Sequence, residues 1–280
     1  MENMIIRSSA SHTLISYWML KGTNEERVEQ YFRTFVDAGM RVVLDSGAYS
    51  AWTQGVVIDL DDFALFYKKY EKYIDYAFSL DVIGDHIGSQ VNHAYLCEYY
   101  PELSFAPVWH VFSPLEALTR LFDFNPTLIG LGGITHAPGN SRTNFIRTGV
   151  TYCQERDILT HALGVGSLEM LSGLPIDFAD STSWHVFSRY GKIWTPFEGY
   201  NILKVSTQTR LNDPLNNERI DAFFADTRRA EYVEMVLSRL DIDFGDIFVS
   251  NEAVALFNLE ALIYLLETRQ PKKWKRRVVF

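Results

Sequence analysis

Short, almost wholly apolar runs alternate along this chain with amphipathic stretches of helical period, and that alternation restricts the fold more than any other property of the sequence. The runs Arg41–Asp45, Tyr76–Asp81, Phe105–Val111, Leu128–Leu131, His161–Val165 and Ile176–Asp180 are apolar through most of their length, as strands buried on both faces are. Between them Glu25–Ala38, Asp61–Tyr73, Pro114–Phe122, Asn144–Arg156 and Leu168–Ser172 read as helices. Repeated βα units of this size favour a parallel sheet, open and doubly wound or closed as a barrel. Asp45, Asp81, His110, Gly132 and Asp180 all fall at or just past strand C-termini, where a barrel keeps its chemistry, so a (β/α)8 barrel is the expected fold. The 280 residues read as one domain. After Asp180 the rhythm changes. Residues 184–206 read as a hairpin-like insertion, and residues 222–280 as a helical part with a basic tail. In that part Ala222–Leu240 and Asn251–Thr268 form helices around a short strand at Asp246–Ser250.

A net charge of −9 argues against a surface coated for nonspecific nucleic-acid binding, although a local basic track remains compatible with it. The stretch from Arg269 to Arg277 holds such a track in Lys272, Lys273, Lys275, Arg276 and Arg277; it reads either as a solvated chain end or as a phosphate contact. The only cysteines are Cys97 and Cys153, which excludes a disulfide framework and a four-thiolate zinc site. His93 and Cys97 stand four residues apart on a helix and read as packed side chains, so no metal or cofactor is expected. The first residues lack a basic start followed by an apolar core, and no apolar run approaches the ~18 residues of a membrane span. A cytoplasmic protein without a membrane partner is the expectation.

The candidate chemistry sits in short constellations. Asp45-Ser46-Gly47 ends a strand in a tight turn, with Gly47 permitting close backbone approach; a helix cap and a reactive carboxylate both fit Asp45. Asp81 ends Phe78-Ser-Leu-Asp in the same way, with Asp85 four residues on, and either caps a loop or accepts hydrogen bonds from a purine edge. Gly130-Leu-Gly-Gly133 and Leu163-Gly-Val-Gly-Ser167 are glycine-rich strand exits without the spacing of a dinucleotide fingerprint or the P-loop lysine. His110 lies near a strand end, where a core histidine is the default. Asp180, in Asp177-Phe-Ala-Asp-Ser181, is a second carboxylate at a strand mouth, costly to bury and therefore suggestive of chemistry.

In order along the chain, Asp45-Ser-Gly, the Asp75–Asp81 pair, Gly130-Leu-Gly-Gly133, Gly164-Val-Gly-Ser-Leu-Glu169 and Asp177-Phe-Ala-Asp-Ser181 resemble the tRNA-guanine transglycosylase family. The resemblance runs from about Val42 to Trp184, with a weaker echo at Phe257-Asn-Leu259, and is most specific from Gly164 to Ser181. It implies a (β/α)8 barrel that exchanges a guanine base in a nucleic acid for a free 7-deazaguanine. Asp180 then matches the nucleophile that attacks the ribose C1′, and Asp45 the general acid/base. Asp81 matches the residue that holds the guanine edge, with Ser46, Gly47, Gly132, Gly133, Leu163 and Gly164 around the base. His110 stands where the family usually has a base-contacting glutamine. Phe78, Tyr49 and Trp109 are the candidate aromatic walls.

Family members that act on tRNA carry a zinc subdomain built on a Cys-x-Cys-x-x-Cys cluster and a later histidine. The cysteines are absent here and Phe257 occupies the histidine position. The resemblance is therefore to the short, zinc-less branch that includes virus- and island-encoded enzymes modifying DNA. DNA is the expected polymer partner, with tRNA or another RNA as the alternative and a non-catalytic nucleic-acid-binding paralogue as the second. The incoming base is expected to be of the 7-cyano (preQ0) type. A second copy of the chain or an accessory protein is a further partner the sequence allows.

Overall fold

The computed structural model describes residues 1–134, 138–197, 203–204, 224–268 and 277–278. Its strands are β1 (His12–Ser16), β2 (Arg41–Asp45), β3 (Tyr76–Phe78), β4 (Phe105–Ala106), β5 (Val108–His110), β6 (Leu128–Gly132), β7 (Leu159–Ala162), β8 (Phe178–Ala179), β9 (Lys192–Ile193), β10 (Leu203–Lys204) and β11 (Arg277–Val278). One sheet has the order β1-β2-β3-β4, a second the order β11-β8-β7-β6-β5, and every pairing in both is parallel. The architecture is α/β with parallel sheets, as the alternating pattern requires.

Both sheets meet at the run Phe105–His110, which is divided only by Pro107. Proline has no N–H to give a ladder, but its carbonyl still accepts from Gly130 at 2.9 Å, while Ala106 accepts from Ser79 on the other side. The sheets share one core. Val43, Phe78 and Ala106 of the first pack with Val108, Leu128 and Phe178 of the second. Rings cross this core as well, His12 against Phe178 and His161 against Phe78, so β1 faces β8 and β3 faces β7. Val42, Val43 and Leu44 are fully buried, each contributing roughly 1.5–3 kcal/mol by leaving water.

Helices return the chain between strands, and local chemistry starts them. Asn24 caps Glu25–Val36, Asp59 caps Leu60–Tyr70 and Asp85 caps His86–Tyr99, each side chain accepting from backbone N–H groups of the first turn. Asp85 is therefore a cap and not a second ligand-facing carboxylate beside Asp81.

The chain sorts into two compact units. One comprises Ser11–Val165, Gly173–Asp180 and Pro271–Phe280 and contains both parallel sheets; the other comprises Met1–Ala10, Gly166–Ser172 and Ser181–Gln270. In the second, helix Asn251–Thr268 is buried along nearly its whole length and carries two buried polar side chains, both fully engaged. Asn258 accepts from Trp194 N–H at 2.8 Å and donates to the carbonyls of Lys192 at 2.8 Å and Trp184 at 3.3 Å. Glu260 accepts from Ser9 N–H and Ser9 Oγ, both at 2.8 Å, and from the Arg239 guanidinium. Phe257 is buried against Tyr232.

Three segments depart from the expectation. Asp246–Ser250 is not a strand: Asp246–Val249 is a helical turn, closed because Asp246 N–H donates to Asp243 O while Asp243 N–H donates back to Asp246 Oδ2. Among the described residues of 184–206, β9 pairs antiparallel with β10, and Ser183–Ser188 forms a helix whose start is fixed by Ser183 N–H donating to Ser181 Oγ. His12–Ser16, not foreseen as a strand, is β1. Its polar His-Thr start disguises it, yet His12, Thr13 and Ile15 are all buried once the segment pairs with β2. Of the basic tail, Lys272, Lys273, Lys275 and Arg276 lie outside the described residues, and Arg277 is described only as strand backbone beside Phe178.

Replacing Asn258 by Leu leaves one N–H and two carbonyls without their partner in a dry setting. Urea unfolding of Asn258→Leu is expected to show a loss of about 3 kcal/mol with an unchanged m-value.

Candidate active site

Asp45 is the last residue of β2, and the chain leaves it through a turn that only glycine completes. Gly47 has φ +77°, and a Cβ there would run into Trp18 and Ser16. That backbone aims the Gly47 N–H back at Asp45 Oδ2, 2.9 Å away. Ser46, fully buried, accepts from Ala48 N–H at 3.3 Å and reaches Asp81 Oδ1 at 3.5 Å.

Asp81 stands three residues past β3. Its Oδ2 lies 2.6 Å from His110 Nε2, with His110 the final residue of β5 and 7 % exposed. Gly132 makes that histidine's position possible, since a Cβ there would sit 2.9 Å from the imidazole Cδ2 and 2.8 Å from Val108. Gly133 comes next at φ +72° beside Val111. Its strand-end position marks His110 in the sequence; the structure makes it Asp81's partner.

Asp180 immediately follows β8. Gly164, at φ +71°, donates its N–H to both carboxylate oxygens at 3.2 Å, and Leu163 packs on the shared core. His161 Nε2 lies 3.0 Å from Asp180 Oδ1, and on its other side His161 Nδ1 lies 3.2 Å from the Tyr76 hydroxyl. Neither His161 nor Tyr76 stands out as a site residue in the sequence. The available signal is a histidine in a strand otherwise buried on both faces, a residue that needs a partner when it loses water.

Burial pushes the Asp45 carboxyl up to about 7; the charges of Asp81 and then Asp180 add to the rise, against a small lowering by the Gly47 N–H. Asp45 thus feels both other carboxylates, which draws three acidic groups from the ends of β2, β3 and β8 into one electrostatic neighbourhood. A carboxyl poised near neutrality is protonated and deprotonated in comparable amounts, the condition for proton transfer in either direction.

A cavity of about 570 Å³ opens beside Asp81, walled by Trp52, Ile58, Leu80, Val82 and Tyr95; Asp45 and Asp180 do not line it. Of the expected aromatic walls, Phe78 and Trp109 are core instead, Phe78 edge-on to His161 and Trp109 against Phe145. Tyr49 remains at the surface, 45 % exposed, with Trp52 beside it at 59 %. Among the described residues no group of three His, Cys, Asp or Glu side chains is arranged to hold a metal ion. His93 instead bonds Ser79 Oγ through Nδ1 at 2.7 Å, and burial lowers it to about 4. No described helix is long and apolar enough to cross a membrane. The chain matches no family model and no curated protein.

Because Asp45 is held above its ordinary value in the folded chain, the folded state binds this proton more tightly than the unfolded one. Its contribution to stability is present below about pH 4 and is lost as pH rises toward 7. Asp45→Asn removes that penalty. Thermal melts are expected to show a larger gain in Tm for the variant at pH 8 than at pH 5.

Proposed function

We propose that this chain is a base-exchanging guanine transglycosylase. In this reading the parallel order β1-β2-β3-β4/β5-β6-β7-β8-β11 wraps into a (β/α)8 barrel, and the three carboxylates stand at its C-terminal mouth. The reaction replaces guanine in DNA with a free 7-deazaguanine carrying a small 7-substituent such as a nitrile. The observation that supports the reading most is the placement of Asp45, Asp81 and Asp180 at or just past the C-terminal ends of β2, β3 and β8, with Ser46, next to Asp45, reaching Asp81 Oδ1 at 3.5 Å.

Exchange with retention at C1′ requires two displacements. Asp180 attacks C1′ as the bond to guanine N9 breaks, forming an ester between carboxylate and sugar. Asp45, protonated, gives its proton to the departing guanine. The 7-deazaguanine then enters and loses its N9 proton to Asp45; its N9 attacks C1′, the ester C–O bond breaks, and Asp180 leaves as a carboxylate. Each group is restored. Asp81 supports this scheme as an acceptor for the purine's N–H groups, with the cavity beside it supplying room for a flat ligand. Gly132 and Gly133 leave backbone close to that edge. Exposed Tyr49 and Trp52, on helix Ala48–Thr53 directly after Asp45, offer stacking faces for bases drawn out of the duplex.

The test is exchange of labelled guanine in polymer, run in parallel on DNA and on tRNA. Asp180→Asn is expected to lower exchange on the order of 10³-fold or more, and Asp45→Asn on the order of 10²-fold or more, both with unchanged folding. Undiminished exchange by the Asp180 variant would overturn the assignment of the nucleophile. Activity confined to tRNA would move the substrate to RNA. Nucleoside mass spectrometry of both polymers from cells supplied with the base gives the same decision in vivo.

A further inference from the structure

Asp180 is held from behind by two side chains that the exchange scheme does not use. Its Oδ1 faces His161 Nε2 at 3.0 Å, and His161 Nδ1 faces the Tyr76 hydroxyl at 3.2 Å. The His161 side chain has no solvent exposure, whereas that of Asp180 is 17 % exposed. The imidazole is fixed between two rings, edge-on to Phe78 at 5.0 Å and stacked over Phe178 at 6.0 Å. These contacts come from β3, β7 and β8, so nothing local in the sequence builds them.

Each ring nitrogen has one partner, and the partners are not equivalent. An ionised carboxylate can only accept, so Nε2 must carry the hydrogen that faces Asp180. Nδ1 is then the acceptor for the Tyr76 O–H, which burial, and next the charge of Asp180, keeps protonated by raising its pKa. The resulting chain of donors runs from Tyr76 through His161 to Asp180. The Gly164 N–H faces both oxygens equally, at 3.2 Å, so it is the His161 bond to Oδ1 that leaves Oδ2 the less restrained oxygen.

On the reading of Asp180 as nucleophile, we propose that His161, with its tautomer set by Tyr76, is the positioning residue of the reaction. The Nε2–H orients the carboxylate so that Oδ2 is presented to C1′. In the second displacement the same hydrogen bond strengthens as the ester oxygens recover their negative charge, easing departure of Asp180 from the sugar. His161 itself never contacts the base or the sugar.

Two measurements test this. Nitrogen-15 NMR of histidine-labelled protein reads the tautomer without any substrate: His161 is expected as the neutral Nε2–H form, and Tyr76→Phe is expected to lose that preference. A ring protonated at Nδ1, in either the other neutral form or the cation, overturns the proposal. Exchange kinetics then read the consequence. His161→Leu is expected to lower kcat about 10²-fold while KM for the free base stays within about twofold, and the covalent adduct formed without incoming base should resolve more slowly once base is added. His161→Gln restores an N–H near Nε2 and is expected to recover most of the loss; should the Leu variant fail to fold, native-like kinetics of the Gln variant support the proposal and a loss as large as 10²-fold opposes it. Gln and Leu variants equally impaired, or a folded Leu variant with adduct breakdown as fast as in the native protein, refute positioning. Undiminished exchange by Asp180→Asn removes Asp180 as nucleophile and with it the kinetic part of this proposal, whereas no exchange by the native protein on either polymer removes the base-exchange reading; the NMR result stands on its own in both cases.

Discussion

Carboxylates withdrawn from water at the ends of parallel strands packed on one core repel one another, and the structure around them is arranged to answer that repulsion. Asp81 has His110 and Ser46; Asp180 has His161 and the Gly164 N–H; Asp45 has the Gly47 N–H. The group supplied with a lone backbone donor is the one that burial and its neighbours' charges push toward neutrality. Two of the donors come from glycines at positive φ, so the backbone itself is bent to face the oxygens. Asp81 and Asp180 are thus each held by side-chain partners, while Asp45 is held by a backbone N–H alone.

The same treatment of buried polarity governs the other compact unit. Helix Asn251–Thr268 is apolar on all sides, and a helix of that kind has no surface face of its own. Asn258 and Glu260 give it a fixed rotation by binding backbone groups of the segments packed on it. Asn258 reaches the helix Ser183–Ser188 and strand β9, and Glu260 the N-terminal Ser9. Phe257, between these contacts, is simply core against Tyr232.

Local chemistry settled much of this chain in advance. Apolar runs mark the positions of β2, β3, β6, β7 and β8, because strands buried on both faces have no alternation to disguise them; the caps Asn24, Asp59 and Asp85 start helices through contacts two and three residues away. Asp45, Asp81, His110 and Asp180 stood out because a polar, titratable residue at the end of an apolar run is a pattern read within a few residues. Segments whose character depends on their surroundings were not legible. His12–Ser16 begins with two polar residues that the fold nevertheless buries, and Asp-Ile-Phe-Val at 246–249 looks extended until a side-chain bond from Asp246 closes its turn.

A parallel α/β arrangement with acidic groups at its strand ends was thus written in the residues themselves, since hydrophobic period and turn chemistry act over short distances. How those acids are served was settled by long-range packing. Tyr76 and His161 are 85 residues apart and meet because β3 and β7 face each other across one core, a relation that no spacing along the chain encodes. The same packing turned Phe78 and Trp109 inward, since a large ring gains more by filling a core than by waiting at an open edge for a ligand.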